Sequence, residues 1–359
     1  MSIQFREELA NLNPYKPGRP IEDVKREYGL EDVVKLASNE NPIGCSPKAI
    51  DAIKNSLDLL GLYPDGNCTL LKESLSKKLN IGVNNIILSS GLDEMMDLLA
   101  KTFFDKDDEA IMADITFPRY ISTTMMMGAR PVIVPLTNWT HDLNGMLNAI
   151  TDKTKVIWLC NPNNPTGTMF TEKELVDFLN KVPENIIVVY DEAYREFVTR
   201  EDFTKNSLLL LEKYPNLIVL RTFSKIYGLA ALRVGYTMAS EEIITNINKV
   251  RGPFNVNTLA QVAAIAALED DDFLKKAYDI NVEGKEYLYK EFDKLGLEYA
   301  PSETNHIFVN THRNGNEVFV ELQKLGVIIR PQIGDWIRVS IGTMDENKIF
   351  IEQLKKVLA

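Results

Sequence analysis

The chain has 359 residues, 45% hydrophobic and 25% charged, enough for one large or two modest domains with a sizeable core. A formal net charge of −11 argues against nucleic acid or an anionic membrane as partner, because either requires a basic face. Cys45, Cys68 and Cys160 are too few and too far apart for a disulfide framework or a C-x-x-C metal site. Together with the lack of a signal-peptide pattern or a membrane-length apolar run, this predicts a soluble, unprocessed, cytoplasmic protein.

Up to about Pro42 the chain is rich in Pro, Asn and Gly and short of periodic pattern, which predicts an arm more than a part of the main sheet. From about Ile81, short β-branched runs alternate with segments of helical apolar spacing, as in a βαβ architecture. Strands are predicted over 86–90, 109–113, 131–135, 155–160, 186–190, 217–222 and 233–238, with helices such as 92–104 and 171–182 between them. Runs such as Ile186-Ile-Val-Val-Tyr190 are apolar on both faces, so the sheet should be mostly parallel and covered on each side. After about Gly252 the pattern changes to helices over 257–268 and 271–295, then strands at 304–310 and 336–341 interleaved with helices over 316–325 and 345–358. The expected division is an N-terminal arm with part of a small domain over 1–42, a large α/β domain over 43–252 and a small α+β domain over 253–359.

Four elements carry chemistry. Asp191 closes a buried strand at its carboxyl end, where open α/β sheets place ligands; a carboxylate buried there needs a cation. Lys225, in Arg221-Thr-Phe-Ser-Lys225, also follows an apolar strand, where burial and a neighbouring cation lower an amine's pKa and ready it for imine formation. Eight positions on, Arg233 can return a guanidinium to an anion held near Thr222 and Ser224. Asn161-Pro-Asn-Asn-Pro-Thr-Gly167 makes a stiff loop at a third strand end and presents an amide, Asn164. In Ser89-Ser-Gly91-Leu92-Asp93-Glu94 a glycine opens a helix after a strand, leaving backbone N–H groups for a phosphate. Each feature alone has an ordinary explanation: a helix cap, a snorkelling surface lysine, a structural turn, a common helix start. Their occurrence together, in this order, is what points to a site.

With these elements the chain resembles the fold-type I pyridoxal 5′-phosphate (PLP) enzymes of the class II aminotransferase branch, and within it the histidinol-phosphate aminotransferases. The likeness runs over nearly the full length, through Tyr15-Lys-Pro-Gly18, Lys35-Leu-Ala-Ser-Asn-Glu-Asn-Pro42, Tyr63-Pro-Asp-Gly66, Gly91-Leu-Asp-Glu94, the Asn161 loop, Asp191-Glu-Ala-Tyr194, Arg221-Thr-Phe-Ser-Lys225 with Gly228-Leu-Ala230, and Arg338-Val-Ser-Ile-Gly342. The resemblance implies an aspartate aminotransferase-like α/β fold with a large PLP-binding domain, and transamination between an amino donor and 2-oxoglutarate. It implies that Lys225 forms the internal aldimine and shuttles the proton, that Asp191 binds the pyridine nitrogen, and that Asn164 and Tyr194 bond the phenolic oxygen. Gly91, Leu92, Asp93, Thr222, Ser224 and Arg233 would surround the phosphate, with Tyr63 reaching it from a second subunit of a homodimer. Phe117 would stack on the ring, Arg338 would hold a substrate carboxylate, and Tyr15, Asn39 and Arg330 would contact the rest of the substrate.

Three residues depart from the expected pattern: Phe117 where many relatives have tyrosine, Arg119 in a segment usually small and polar, and His306 in place of a common phenylalanine. They leave the amino donor open between histidinol phosphate and aromatic amino acids, and an amino-acid-phosphate decarboxylase of the same fold stays a rival. A Ser74-Leu-Ser-Lys77 acyl enzyme is disfavoured because its companion motifs are absent. His141, His306 and His312 are not in metal-ligand spacing. An aminotransferase-like transcription regulator would need a DNA-binding domain for which the chain has no room.

Overall fold

The computed structural model describes residues 3–14 and 18–359. A seven-stranded sheet runs, in spatial order, Ile86–Ser89, Gly235–Met238, Leu217–Thr222, Ile187–Asp191, Thr154–Cys160, Glu109–Ala113 and Arg130–Val134. Six strands are parallel; Gly235–Met238 is antiparallel to both its neighbours. The central strands are buried along almost their whole length, which is why they read as continuous apolar runs and not as alternating ones. From Glu109–Ala113 the chain steps to Arg130–Val134 on one side and to Thr154–Cys160 on the other. The carboxyl ends of these strands therefore open onto a crevice at a reversal of strand order, a standard ligand position.

The helices are set by local chemistry. Gly91–Phe103 buries Leu92, Met95, Met96 and Leu99, a stripe at helical spacing. Glu172–Leu179 and Met344–Leu358 each start with a capping box, Thr171 with Glu174 and Thr343 with Glu346. A second, antiparallel sheet orders Arg330–Pro331, Trp336–Ser340, His306–Asn310 and Tyr299–Ala300. It has its own apolar core with Leu288, Phe292, Leu322, Phe350 and Leu354 from the helices Asp271–Leu295, Gly315–Lys324 and Met344–Leu358. No helix among the described residues is long and apolar enough to cross a membrane.

Two expectations gain detail. The stretch before Pro42, expected as an arm with part of a small domain, holds the helix Ile21–Tyr28 and the strand Val34–Lys35, which pairs with Val327–Ile328 outside the main sheet. About two turns of helix burying only Val24, and a strand of two residues, are too short to give a period. The other concerns Arg233, expected to begin a strand. It lies before Gly235–Met238 in a left-handed conformation, φ 53°, which sends its side chain across to the start of the helix Gly91–Phe103.

Candidate active site

Asp191 ends its strand with the side chain in the crevice and 3% exposed. Tyr120 Oη donates to Oδ2 at 2.7 Å and the Ala193 N–H to Oδ1 at 3.0 Å. Both partners are neutral. Burial pushes the carboxyl up to about 6 against the pull of these two bonds, a bias of roughly 3 kcal/mol toward the protonated form that a cation beside it would reverse. The next residue, Glu192, points the other way and meets Arg221 at 2.9 Å and Ser207 at 2.9 Å. This buried ion pair ties the strand ends Ile187–Asp191 and Leu217–Thr222 together and so sets Asp191 relative to Lys225.

Lys225 Nζ donates to the Ser38 carbonyl at 3.2 Å and sits 5.7 Å from the centre of the Tyr194 ring. Burial is the first cause, and the Arg338 guanidinium the second, that bring its amine down to about 8. The neutral amine that a nucleophile requires is therefore far more populated near neutral pH than for an ordinary lysine, though the protonated form still predominates.

At the opposite end, Gly91 opens its helix at φ 73°, and a Cβ there would come within 2.3 Å of Arg233 Nη2. The position needs glycine twice over, for the backbone and for the guanidinium packed against it. Arg233 Nη1 reaches Ser224 Oγ at 3.4 Å, and Nη2 reaches Asp93 at 3.4 Å. Ser90, before the helix, makes no side-chain cap. Helix N–H groups, two hydroxyl residues and a guanidinium thus form a cradle for a phosphate.

The Asn161 loop is held by its own amides. Asn161 bonds Phe170 through both backbone atoms and Tyr190 Oη; Asn163 bonds Ile115, Thr116 and Thr166. Asn161-Pro162 and Asn164-Pro165 are cis. Arg338 Nη1 donates to Asn164 Oδ1 at 2.7 Å and Nη2 to the Ala37 carbonyl at 2.5 Å. Since a guanidinium only donates, the Asn164 oxygen must face Arg338, which turns its NH2 group elsewhere as a donor.

Of the residues expected at the site, Asn39, Leu92, Asp93, Phe117, Asn164, Asp191, Tyr194, Thr222, Ser224, Lys225, Arg233, Arg330 and Arg338 line one cavity of about 400 Å³, within the usual range for a small-molecule site. Gly91 backs it through Arg233. Tyr63 does not: it is 83% exposed and stacks on Phe254 at 4.8 Å. Tyr15 lies outside the described residues. Arg119 bonds Asp97 at 2.7 Å and approaches Asp93 at 3.7 Å, so its charge is held beside the phosphate cradle. Ser74 bonds Leu70 within an ordinary exposed helix turn, and no group of three metal-ligating side chains occurs among the described residues.

Sequence reasoning missed Tyr120 and Ser38. Tyr120 is fully buried, lies flat against Trp158 at 4.9 Å and holds Asp191. A tyrosine following Phe117-Pro118-Arg119 was the only trace of it. Ser38 acts through its backbone carbonyl, which no side-chain pattern reveals.

These residues fit PLP. A buried carboxylate with neutral partners matches a pyridinium nitrogen, a depressed lysine amine matches imine formation, and the Gly91–Arg233 cradle matches a phosphate. The arrangement is that of a fold-type I aminotransferase. The chain belongs to the family aminotransferase class I and II, whose model matches residues 31–354. It is 49% identical to histidinol-phosphate aminotransferases of Moorella thermoacetica and Caldicellulosiruptor saccharolyticus, over 99% of this chain in each case and 93% and 100% of the relatives. The crystal structure of histidinol-phosphate aminotransferase from Sinorhizobium meliloti in complex with pyridoxal 5′-phosphate superposes with a TM-score of 0.92 at 27% identity, covering 100% of this chain and 98% of that one. Aspartate aminotransferase from Thermus thermophilus shares the fold, with a TM-score of 0.86 at 19% identity.

Proposed function

We propose that this protein exchanges an amino group between L-histidinol phosphate and 2-oxoglutarate in histidine biosynthesis, accepting aromatic amino acids more slowly. The observation that carries the substrate reading is the pairing of Arg330 with Arg338 in adjacent strands of the same cavity wall, which suits a donor that carries one phosphate and an acceptor that carries two carboxylates, each taking its turn at the same cationic wall. The identity to histidinol-phosphate aminotransferases selects among such reactants.

PLP supplies an electron sink for the pair left at the substrate Cα when its proton departs. The protein supplies the rest. Asp191 would keep a positive charge on the ring nitrogen. Thr222, Ser224, Arg233 and the N–H groups at Gly91, Leu92 and Asp93 would hold the phosphate. Asn164 and Tyr194 would donate to the phenolic oxygen, and Phe117 would cover a ring face. Lys225 would take the proton from the substrate Cα and hold it for return, one amine serving as base and then as acid. Arg338 receives the α-carboxylate of glutamate. Histidinol phosphate has no α-carboxylate, so its phosphate uses the anionic subsite with Arg330. Residues 43–252 would form the cofactor-binding unit and 253–359, with the N-terminal stretch, the unit that meets the substrate.

The test is to add L-histidinol phosphate, L-phenylalanine, L-tyrosine and L-threonine phosphate separately to holoenzyme and follow amino transfer to the cofactor by absorbance. Histidinol phosphate should exceed phenylalanine by roughly tenfold to a hundredfold in kcat/KM, the worth of one charge-assisted contact. Arg330→Ala should narrow that gap more than it slows phenylalanine. Equal damage to both substrates would reassign the protein to aromatic amino acids, and release of CO₂ from threonine phosphate would make it a decarboxylase.

The same reading makes the active unit a homodimer in which Tyr63 reaches the phosphate of the neighbouring site. Its support here is exposure: Leu60, Leu62, Tyr63, Leu70 and Phe254 are apolar and solvent-facing on one chain, as a covered face would be. Mixing inactive Lys225→Ala chains with low-activity Tyr63→Ala chains should restore activity at about a quarter of the sites, since each hybrid has one site without a lesion. Subunit exchange without rescue would count against a shared site.

A further inference from the structure

Asn39 and Tyr194 line the cavity, and behind them His306, which has no part in the proposed roles, completes a hydrogen-bonded chain. Ser340 Oγ accepts the Asn39 backbone N–H at 2.8 Å and gives its single proton to Asn39 Oδ1 at 2.9 Å. With the amide facing this way, Asn39 Nδ2 lies 2.9 Å from Tyr194 Oη and 3.0 Å from His306 Nδ1. An NH2 group only donates, so both neighbours accept. His306 then carries its proton on Nε2. Tyr194, with a lone pair occupied by Asn39, keeps its hydroxyl proton for the cavity side.

The imidazole is fully buried and stands edge-on to Tyr194, ring centres 5.1 Å apart. Burial, with the charges of Arg338 and Lys225 behind it, holds His306 well below its usual range against a smaller opposing effect from the Pro165 backbone. It is thus neutral, the state in which Nδ1 can accept.

We propose that His306 is a positioning residue: through Asn39 it holds Tyr194 as a donor toward the phenolic oxygen of PLP. The opposite arrangement would turn Asn39 so that Oδ1 faces both rings, put the His306 proton on Nδ1 and spend the Tyr194 proton on Asn39. It would also bring two donors onto Ser340 Oγ and take from the Ser340 hydroxyl the acceptor it has now. Phenylalanine at 306 keeps the bulk but offers Asn39 Nδ2 no acceptor, so the amide is released to turn.

Two measurements test this. Protein labelled with nitrogen-15 in its three histidines, compared with His306→Phe to assign the signal, should show His306 as the neutral Nε2–H tautomer both with and without PLP. The Nδ1–H tautomer, or an imidazolium, would overturn the proposal. The second measurement is the pH titration of the bound-cofactor absorbance in holoenzyme. A donor to the phenolic oxygen stabilises its ionised form and so lowers the pH at which the chromophore loses its proton. His306→Phe should raise that pH by about one unit, and His306→Asn, which places an amide oxygen near the Nδ1 position, should return most of the shift. In a Tyr194→Phe background, His306→Phe should produce no further change, because the group it positions is gone. An equal shift in that background, no shift in His306→Phe alone, or an Asn variant as displaced as Phe would each refute the role. Because the tautomer is read without cofactor as well, failure of PLP to bind would be seen separately from failure of the positioning role.

Discussion

Lys225→Ala should lower transamination by about 10⁴-fold or more while the protein still binds PLP without a covalent link. The size follows from losing two functions at once, imine formation and the proton shuttle at the substrate Cα; general acid–base catalysis alone contributes about 10²–10⁴-fold. Binding should persist because the phosphate cradle at Gly91 and Arg233 and the carboxylate of Asp191 are untouched. Wild-type holoenzyme should be yellow, and borohydride should fix the cofactor to Lys225. Peptide mapping that places the label on another lysine would end the assignment. The amine's pKa of about 8 adds a direction. Only the neutral amine attacks, so capture of PLP by apoprotein should accelerate as pH rises through about 8 and level off above it, and this dependence should vanish in the alanine variant.

Asp191→Ala should retain part of the bound PLP yet lose about 10²–10³-fold in turnover. The carboxylate is buried between Tyr120 and the Ala193 N–H, a place where a charge is costly unless a cation shares it. With the pyridine nitrogen as that cation, each would hold the other ionised, and the ring would keep its power to withdraw electrons. Removing the carboxylate weakens the sink more than it weakens binding, so kcat should fall further than PLP affinity. Tyr120→Phe should give a milder version of the same change, since it removes one neutral bond and leaves the charge. Wild-type turnover in Asp191→Ala would rule out a protonated ring nitrogen as the basis of the chemistry.

Much of the large sheet was legible in the chain alone. Strands 109–113 and 217–222 were placed to the residue, and the long helix Asp271–Leu295 likewise, because burial on both faces of a strand, or one stripe of a helix, writes its period directly into neighbouring residues. Asp191 closes one buried strand and Lys225 lies three residues beyond the end of another; either alone has an ordinary explanation, and they became legible as a pair, with Arg233, the Asn161 loop and Gly91 beside them. The glycine at 91 and the Asn161 loop were readable because backbone requirements restrict residue choice locally.

Tertiary structure alone decided which groups act on these residues. Tyr120 bonds Asp191 across 71 positions of chain, and Asn39 reaches Tyr194 across 155 and His306 across 267; Arg338 meets Asn164 across 174. The short strand Val34–Lys35 exists only because Val327–Ile328 lies beside it, and the carbonyl of Ser38 reaches Lys225 only because that pairing brings its segment to the site. The sequence by itself determined the strands, the helices and the residue types that could do PLP chemistry, since those depend on contacts within a few residues. The pKa of the lysine, the proton direction at Tyr194 and the company of Asp191 arise from burial and charge supplied by distant segments, and a linear pattern carries no record of those until the chain has folded.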